Sequence, residues 1–176
     1  METLYLKEIE LTDERAVSDF LSDSVLSSGA IKGFRYEDGL SFEALLKKLS
    51  EYKNIPFESY NQKNYQSNQY LLIRNNDNKM VGAVEVRPFL TQVLDEEFEG
   101  NIGYSVISSE RGKGYATCAL KLAIEKFKSL NEKDDIIICC YKENIASRRV
   151  IEKFGGELIE EIKGVLTAQK YKIKRS

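Results

Sequence analysis

Histidine and tryptophan are absent from this 176-residue chain, and proline occurs only twice. Without histidine, any proton transfer must use Glu, Asp, Tyr, Cys, Lys, a main-chain group or water, and a histidine-based triad is excluded. The three cysteines, Cys118, Cys139 and Cys140, are an odd number without metal-ligand spacing. Reduced thiols in a cytoplasmic protein, and no metal centre, are therefore expected. No apolar run approaches the ~18 residues of a membrane span. The start, METLYLKEIE, carries charges where a signal peptide would be apolar. Neither sign of charge dominates: 26 Lys and Arg stand against 28 Asp and Glu, a net charge of −2. That balance argues against a nucleic-acid partner. No repeat, low-complexity segment or linker divides the chain, and its length suits one domain over residues 1–176.

What is present centres on residues 101–120, NIGYSVISSERGKGYATCAL. A short apolar strand (Ile102 to Ile107) leads through a glycine-bearing turn (Ser108 to Gly114) into a helix. Gly112 and Gly114 allow φ > 0 and remove the Cβ atoms that would keep another group from the backbone. Such a turn presents a row of free N–H groups, backed by the positive end of the helix, to one point in space. That is a site for a phosphate or pyrophosphate, and Arg111 and Lys113 flank it with positive charge.

Around this centre the chain reads as a mixed α/β protein. Leu4 to Ile9 alternates as a first strand. Thr12 is placed to cap a helix carrying Val17, Phe20, Leu21 and Val25 up to Gly29, and Ser41 a second one carrying Phe42, Leu45, Leu46 and Leu49. Residues 55–69 are polar and without periodicity, a surface loop that either serves as a lid or merely connects. Tyr70 to Arg74 and Met80 to Arg87 form a hairpin about Asn75–Asn78. Asp95, Glu96, Glu97 and Glu99 are either a solvated acidic loop or an attractor for a cationic substrate. The helix after the turn has Ala116, Leu120, Ala123, Ile124 and Phe127 on one stripe. Ile136 to Cys140 reads as a central strand covered on both faces, parallel to the organising strand. Asn144 caps a further helix that buries Val150, Ile151 and Phe154 and stops at Gly155. Glu157 to Ile162 and Leu166 to Ile173 form a terminal hairpin. The order β-α-α-β-β-β-α-β-α-β-β implies a mixed sheet with helices on both faces.

Within VGAVEVR, Glu85 lies mid-strand among apolar residues, where a carboxylate either faces solvent at an edge or serves a purpose. Arg87, two residues on, shares its face and can hold it ionised or bind a substrate carboxylate.

Three glycine-turn chemistries compete for the organising turn. A Walker-type loop needs Gly-Lys-Ser/Thr, and here Lys113 is followed by Gly114. A dinucleotide fingerprint needs its acidic residue at the end of the second strand, whereas Asp134 and Asp135 precede theirs. The third fits. Arg111-Gly112-Lys113-Gly114-Tyr115-Ala116 matches the R/Q-x-x-G-x-G/A turn that cradles the pyrophosphate of coenzyme A in the GNAT N-acetyltransferase superfamily. Residues 144–156, NIASRRVIEKFGG, resemble the second cofactor motif of that superfamily. The chain resembles it over most of its length, and IGYSV, ERGKGYAT and NIASRRVIEKFGG look most like a bacterial branch of predicted acetyltransferases.

The resemblance implies a GNAT-like α/β (α+β) fold: a mixed, mostly antiparallel sheet with a central splayed parallel strand pair and helices on both faces. It implies acetyl-CoA as co-substrate and a primary amine, on a small molecule or a peptide, as acceptor. Main-chain groups of Val106 and Ile107 would pair with pantetheine. The N–H groups from Gly112 through Lys113, Gly114, Tyr115 and Ala116 to Thr117 would hold the pyrophosphate. Arg111 or Lys113 would reach a phosphate, or remain solvated. Asn144 and Ser147 would contact the cofactor arm, although Asn144 is equally a helix cap. In the family a base removes the amine proton, a main-chain N–H of the organising strand polarises the carbonyl, and an acid protonates the departing thiolate. The tyrosine often found seven residues after the motif asparagine is replaced by Ile151. Tyr141 or Cys140 is the nearest substitute, and Glu85 is the candidate base. Asn101 stands where many members carry a titratable residue. A homodimer through the terminal strands, and a non-catalytic acyl-CoA-binding module, remain open alternatives.

Overall fold

A computed structural model describes residues 2–23, 33–36, 39–60, 65–91 and 99–175. Among these residues seven strands fall into two sheets. The first holds β1 (Leu4–Glu8), β2 (Asn68–Arg74), β3 (Lys79–Val86) and β4 (Ile102–Val106) in that order, all antiparallel. The second has β7 (Ala168–Ile173) between β5 (Ile136–Tyr141) and β6 (Gly156–Ile162), again antiparallel.

Among the described residues four helices cover the sheets: α1 (Glu14–Leu21), α2 (Phe42–Lys53), α3 (Tyr115–Leu130) and α4 (Ile145–Lys153). Alternation along β2 sorts the core into two layers. Leu71 and Ile73 pack with Val17 and Phe20 of α1 and Leu45 and Leu49 of α2. Tyr70 and Leu72 pack with Leu120, Ala123 and Phe127 of α3. A register shift at Leu72/Ile73 lets Met80 and Ala83 of β3 join the α1/α2 layer while Val81 and Val84 join the other. The mixed fold with helices on both faces is thus as expected.

Several local expectations change. Thr12 is not a cap: it lies inside a 3-10 turn, Leu11–Asp13, where the Asp13 carboxylate accepts from the Glu10 N–H at 2.9 Å. Asp13 is one position better placed to reach that orphan donor. Helix α1 ends at Leu21; Val25 and Gly29 lie outside the described residues, as do Asp95, Glu96 and Glu97. Ser41 does cap α2, accepting from the Ala44 N–H at 3.2 Å. The polar stretch before β2 is not all surface, since Tyr65 and Ser67 are buried. Strand β5 is not covered on both faces: Ile136, Ile138 and Cys140 are buried, while Ile137 and Cys139 are half-exposed. Its neighbour on one side is β7, and on the other it meets β4 only at their beginnings.

That meeting is made by Asn101. Its N–H donates to the Ile137 carbonyl at 2.7 Å, and its side-chain Oδ1 accepts from the Ile137 N–H at 2.7 Å. Its Nδ2 donates to the Arg87 carbonyl at 3.0 Å. Gly100 permits the approach, for a Cβ there would lie 2.6 Å from the Ile137 oxygen. Beyond this clamp β4 and β5 share no ladder, and a gap opens between them.

Candidate active site

The gap is a cavity of about 280 Å³ whose walls include Ile102 and Tyr104 of β4, Ile138, Cys140 and Tyr141 of β5, and Ser147 of α4. Its β4 wall is polar along the main chain. Ile107 donates its N–H to Val81 and Arg87 donates to Asn101, at 3.0 and 2.7 Å, so the odd-numbered residues of β4 face β3. Alternation in an antiparallel ladder then turns the N–H and C=O groups of Ile102, Tyr104 and Val106 into the gap. Of the pair expected to meet an extended ligand, Val106 is so placed. The N–H of Ile107 is already engaged by Val81.

At the far end of β4 stands the glycine turn. Gly112 and Gly114 have φ of 77° and 83°, and no atom lies within 4 Å of where a Cβ on either would be. The first bonds of α3 run from Thr117 and Cys118 back to the Gly114 carbonyl, at 3.1 and 3.3 Å. The N–H groups ahead of Thr117 therefore have no acceptor within the helix, and the space before them is open. The arrangement, at the positive end of a 16-residue helix, is one that can cradle an anion.

The charged side chains of the turn behave differently from expectation. Lys113 does not flank the cradle freely: its ammonium lies 2.7 Å from Glu110. Glu110 is buried, and Lys79 at 2.7 Å and Arg74 at 2.9 Å complete its surroundings. Hydrogen bonds from Lys113 and Lys79 hold its carboxyl down at about 2. Arg111 leans back over β4, its Nε 3.4 Å from the Val106 carbonyl. The Tyr115 side chain is buried and hydrogen-bonds Glu2, so only its main chain serves the cradle. Glu110 could have been noticed in the sequence as the one acid in SSERGKG, but its partners Arg74 and Lys79 come from another hairpin. A folded carboxyl below its unfolded value of about 4.5 stabilises above that pH and loses its effect as pH falls towards 2. Replacing Glu110 by Gln leaves three cations facing each other. Thermal denaturation of Glu110→Gln is expected to show a midpoint several degrees below wild type at pH 7. The difference should close as pH falls from about 4.5 towards 2; a pH-independent difference would exclude the ion cluster as its source.

At the near end of the gap a chain of charges runs from the core to the cavity. Glu85 is 2% exposed, accepting from the Ser67 hydroxyl and pairing with Arg87 Nη2, each at 2.6 Å. Arg87 Nη1 bonds the Gly100 carbonyl at 2.6 Å and Glu99 at 2.8 Å. The expectation that Arg87 shares the face of Glu85 matches this geometry. An edge-exposed Glu85 does not: the carboxylate is sealed in the α1/α2 layer with both oxygens engaged. Arg87 and Glu99 line the cavity and Glu85 does not. Tyr65 packs against the same network, its ring 5.7 Å from the Arg87 guanidinium and 4.1 Å from that of Arg35. None of these partners could be read from residues 55–69, which have no period.

The remaining expected residues converge on the β5 wall. Tyr141 ends β5 and lines the cavity at 42% exposure. Asn144 caps α4, its Oδ1 accepting from the Ser147 N–H at 3.1 Å, and also faces the cavity. Ile151 is wholly buried and offers no proton. Tyr104, which sequence reasoning passed over, reaches across the gap to Ser147, with 2.9 Å between the hydroxyls. Among the described residues, no group of His, Cys, Asp or Glu is arranged to hold a metal ion. None of the described helices is long and apolar enough to cross a membrane.

Two strands that part after a shared start, with an anion cradle at the end of one, define a site for a long, partly apolar ligand ending in phosphates. The model of the acetyltransferase (GNAT) domain matches residues 3–157, and the chain belongs to that family of acetyl-CoA-dependent N-acetyltransferases. Similar solved structures include a GNAT-family acetyltransferase from Bacillus anthracis, 21% identical with a TM-score of 0.67 over 98% of this chain and 95% of that one. A ribosomal-protein-S5-alanine acetyltransferase from Vibrio fischeri is 16% identical, with a TM-score of 0.69 over 98% and 93%. The yncA protein from Salmonella typhimurium, solved with its cofactor acetyl-CoA, is 13% identical, with a TM-score of 0.65 over 97% and 93%. A search of curated proteins finds no match.

The residues present fit acetyl-CoA. The cradle over Gly112 and Gly114 is open to a pyrophosphate, and the gap offers main-chain partners to an amide-bearing arm. When bound, the group supplies a thioester-activated acetyl.

Proposed function

We propose that residues 1–176 form a single bacterial, cytoplasmic GNAT-type domain that moves the acetyl group to a cationic primary amine on a small molecule or peptide. The observation that carries this reading is Glu99, a carboxylate at 26% side-chain exposure held at the cavity mouth by buried Arg87. One acidic group beside an otherwise mostly apolar cavity favours an acceptor that arrives as an ammonium. Glu99, rather than the sealed Glu85, then takes the amine proton directly or through water. Glu85 serves by fixing Arg87, which in turn fixes Glu99. The main-chain N–H groups of β4 that face the gap orient the acyl carbonyl. Tyr141 lines the same cavity as Glu99 and contributes to acceptor binding. Cys118, Cys139 and Cys140, none of them in a disulfide, suit a reducing compartment. A homodimer through β6, the outer strand of its sheet, is compatible with its exposed Leu158, Ile159 and Ile162.

The test is titration calorimetry with acetyl-CoA, followed by thiol release across a panel of amines. Binding with turnover on cationic amines supports the proposal. Turnover confined to neutral or anionic acceptors removes Glu99 from its role. Binding without turnover on any amine favours an acyl-CoA-binding module. In Glu99→Gln, turnover is expected to fall by roughly tenfold or more while acetyl-CoA affinity stays within twofold. Equal turnover in wild type and variant would assign the proton transfer elsewhere.

A further inference from the structure

The thioester reaction leaves negative charge on sulfur, and Ile151 cannot meet it. We propose that the hydroxyl pair of Tyr104 and Ser147 supplies the hydrogen bond that receives the leaving sulfur. The inference rests on the acetyl-CoA reading of the gap.

The geometry is specific. Tyr104 rises from β4 and Ser147 from the first turn of α4, so the pair spans the gap from opposite walls. Their oxygens are 2.9 Å apart and either can donate. Two hydroxyls carry two hydrogens, and their mutual bond uses one. The other remains to be donated. A side chain at position 151 would lean toward the N-terminus of α4, over the turn that carries Ser147. Tyr104 thus delivers a phenol from the facing strand to the region where a helix-borne tyrosine would reach. Ser147 is also three residues beyond the Asn144 cap, where the helix end favours negative charge.

The pair acts as a donor that keeps its proton. Burial pushes the Tyr104 phenol up to about 12, above its ordinary value near 10. The titratable and charged groups around it are Cys140 and Tyr141 on β5, Arg148 on α4, Tyr171 on β7, and Arg87 with Glu99 towards the clamp. Cys140 is a weaker candidate, because a thiol is a poor hydrogen-bond donor and burial raises this one to about 11. In the transfer, the amine nitrogen bonds the acyl carbon as the carbon–sulfur bond breaks with its electron pair going to sulfur. The amine proton leaves through Glu99 or water, and the thiolate is stabilised by the hydroxyl without taking its hydrogen.

The test needs no acceptor. Affinities of CoA and desulfo-CoA, which lacks the sulfur, are measured from pH 7 to 10 for wild type, Tyr104→Phe and Ser147→Ala. A donor aimed at sulfur should make wild type favour CoA increasingly as its thiol ionises, by roughly tenfold at the alkaline end, equivalent to about one pKa unit. Both variants should lose most of that preference, the ratio of CoA to desulfo-CoA affinity falling towards one at every pH, and a thermal melt like that of wild type shows that they fold. A preference for CoA that survives in both variants, or is missing from wild type, overturns the assignment. If wild type binds neither ligand, the acetyl-CoA reading itself fails and this inference with it.

Discussion

Gly114→Glu is expected to lower acetyl-CoA affinity by roughly 100-fold or more while leaving the protein folded. Two charge-assisted hydrogen bonds from main-chain N–H groups to phosphate are worth about 1.5–3 kcal/mol each, and about 1.4 kcal/mol is tenfold in affinity. A side chain at position 114 holds the phosphates off those N–H groups, and a carboxylate adds like-charge repulsion. The fold should bear the change. A Cβ at Gly114 meets no protein atom within 4 Å, so nothing in the core is displaced. The φ of 83° costs a non-glycine residue about 1–2 kcal/mol. An acidic residue at the N-terminus of α3 returns part of that. Calorimetry with acetyl-CoA, beside a thermal melt, checks both halves. Undiminished affinity in a folded variant would show that the phosphates lie elsewhere.

Why this turn was legible in the sequence, when the charges around it were not, follows from the range of the interactions. Gly112 and Gly114 act through their own φ angles and the helix that follows, so their consequence is local. The same holds for Asn144, whose side chain caps three residues on, and for Ser41. Strand β2 was legible as an apolar run, whereas its division between two core layers depends on the helices packed on each face. Glu110 is different: its cations come from Arg74, Lys79 and Lys113, and only Lys113 is close in sequence. Lys113 reads in the sequence as reaching a phosphate or remaining solvated, and an acid three residues away holds it instead. The setting of Glu85 was illegible for the same reason. Its burial depends on Ser67, from a stretch without periodicity, and its partner Arg87 passes the ionic chain on to Glu99. Tyr104 went unnoticed because a tyrosine in an apolar strand looks like core until the opposite wall supplies Ser147.

Asn101 is the residue whose removal should most disturb the frame itself. Its backbone and side chain together stand in for one rung of a parallel ladder between β4 and β5, and for a link to β3. In Asn101→Ala, the Ile137 N–H and the Arg87 carbonyl lose partners that solvent is poorly placed to replace, since Asn101 is 4% exposed. At about 1–3 kcal/mol for each of the two buried groups left unsatisfied, the expected destabilisation is about 2–6 kcal/mol. For a chain of this size that is a fall in Tm of roughly 10 °C. An unchanged melt would mean that the two sheets are held by packing alone. Asn101→Asp separates this clamp from a chemical role for the position. Aspartate keeps an acceptor for Ile137 but loses the donor to Arg87 and buries a charge, so it should melt below wild type and gain no turnover. A stable Asn101→Asp variant with raised activity would instead make position 101 part of the proton path. The splay would then need another origin. With the clamp in place, β4 and β5 are fixed at one end and free to part at the other, and the binding gap depends on that constraint.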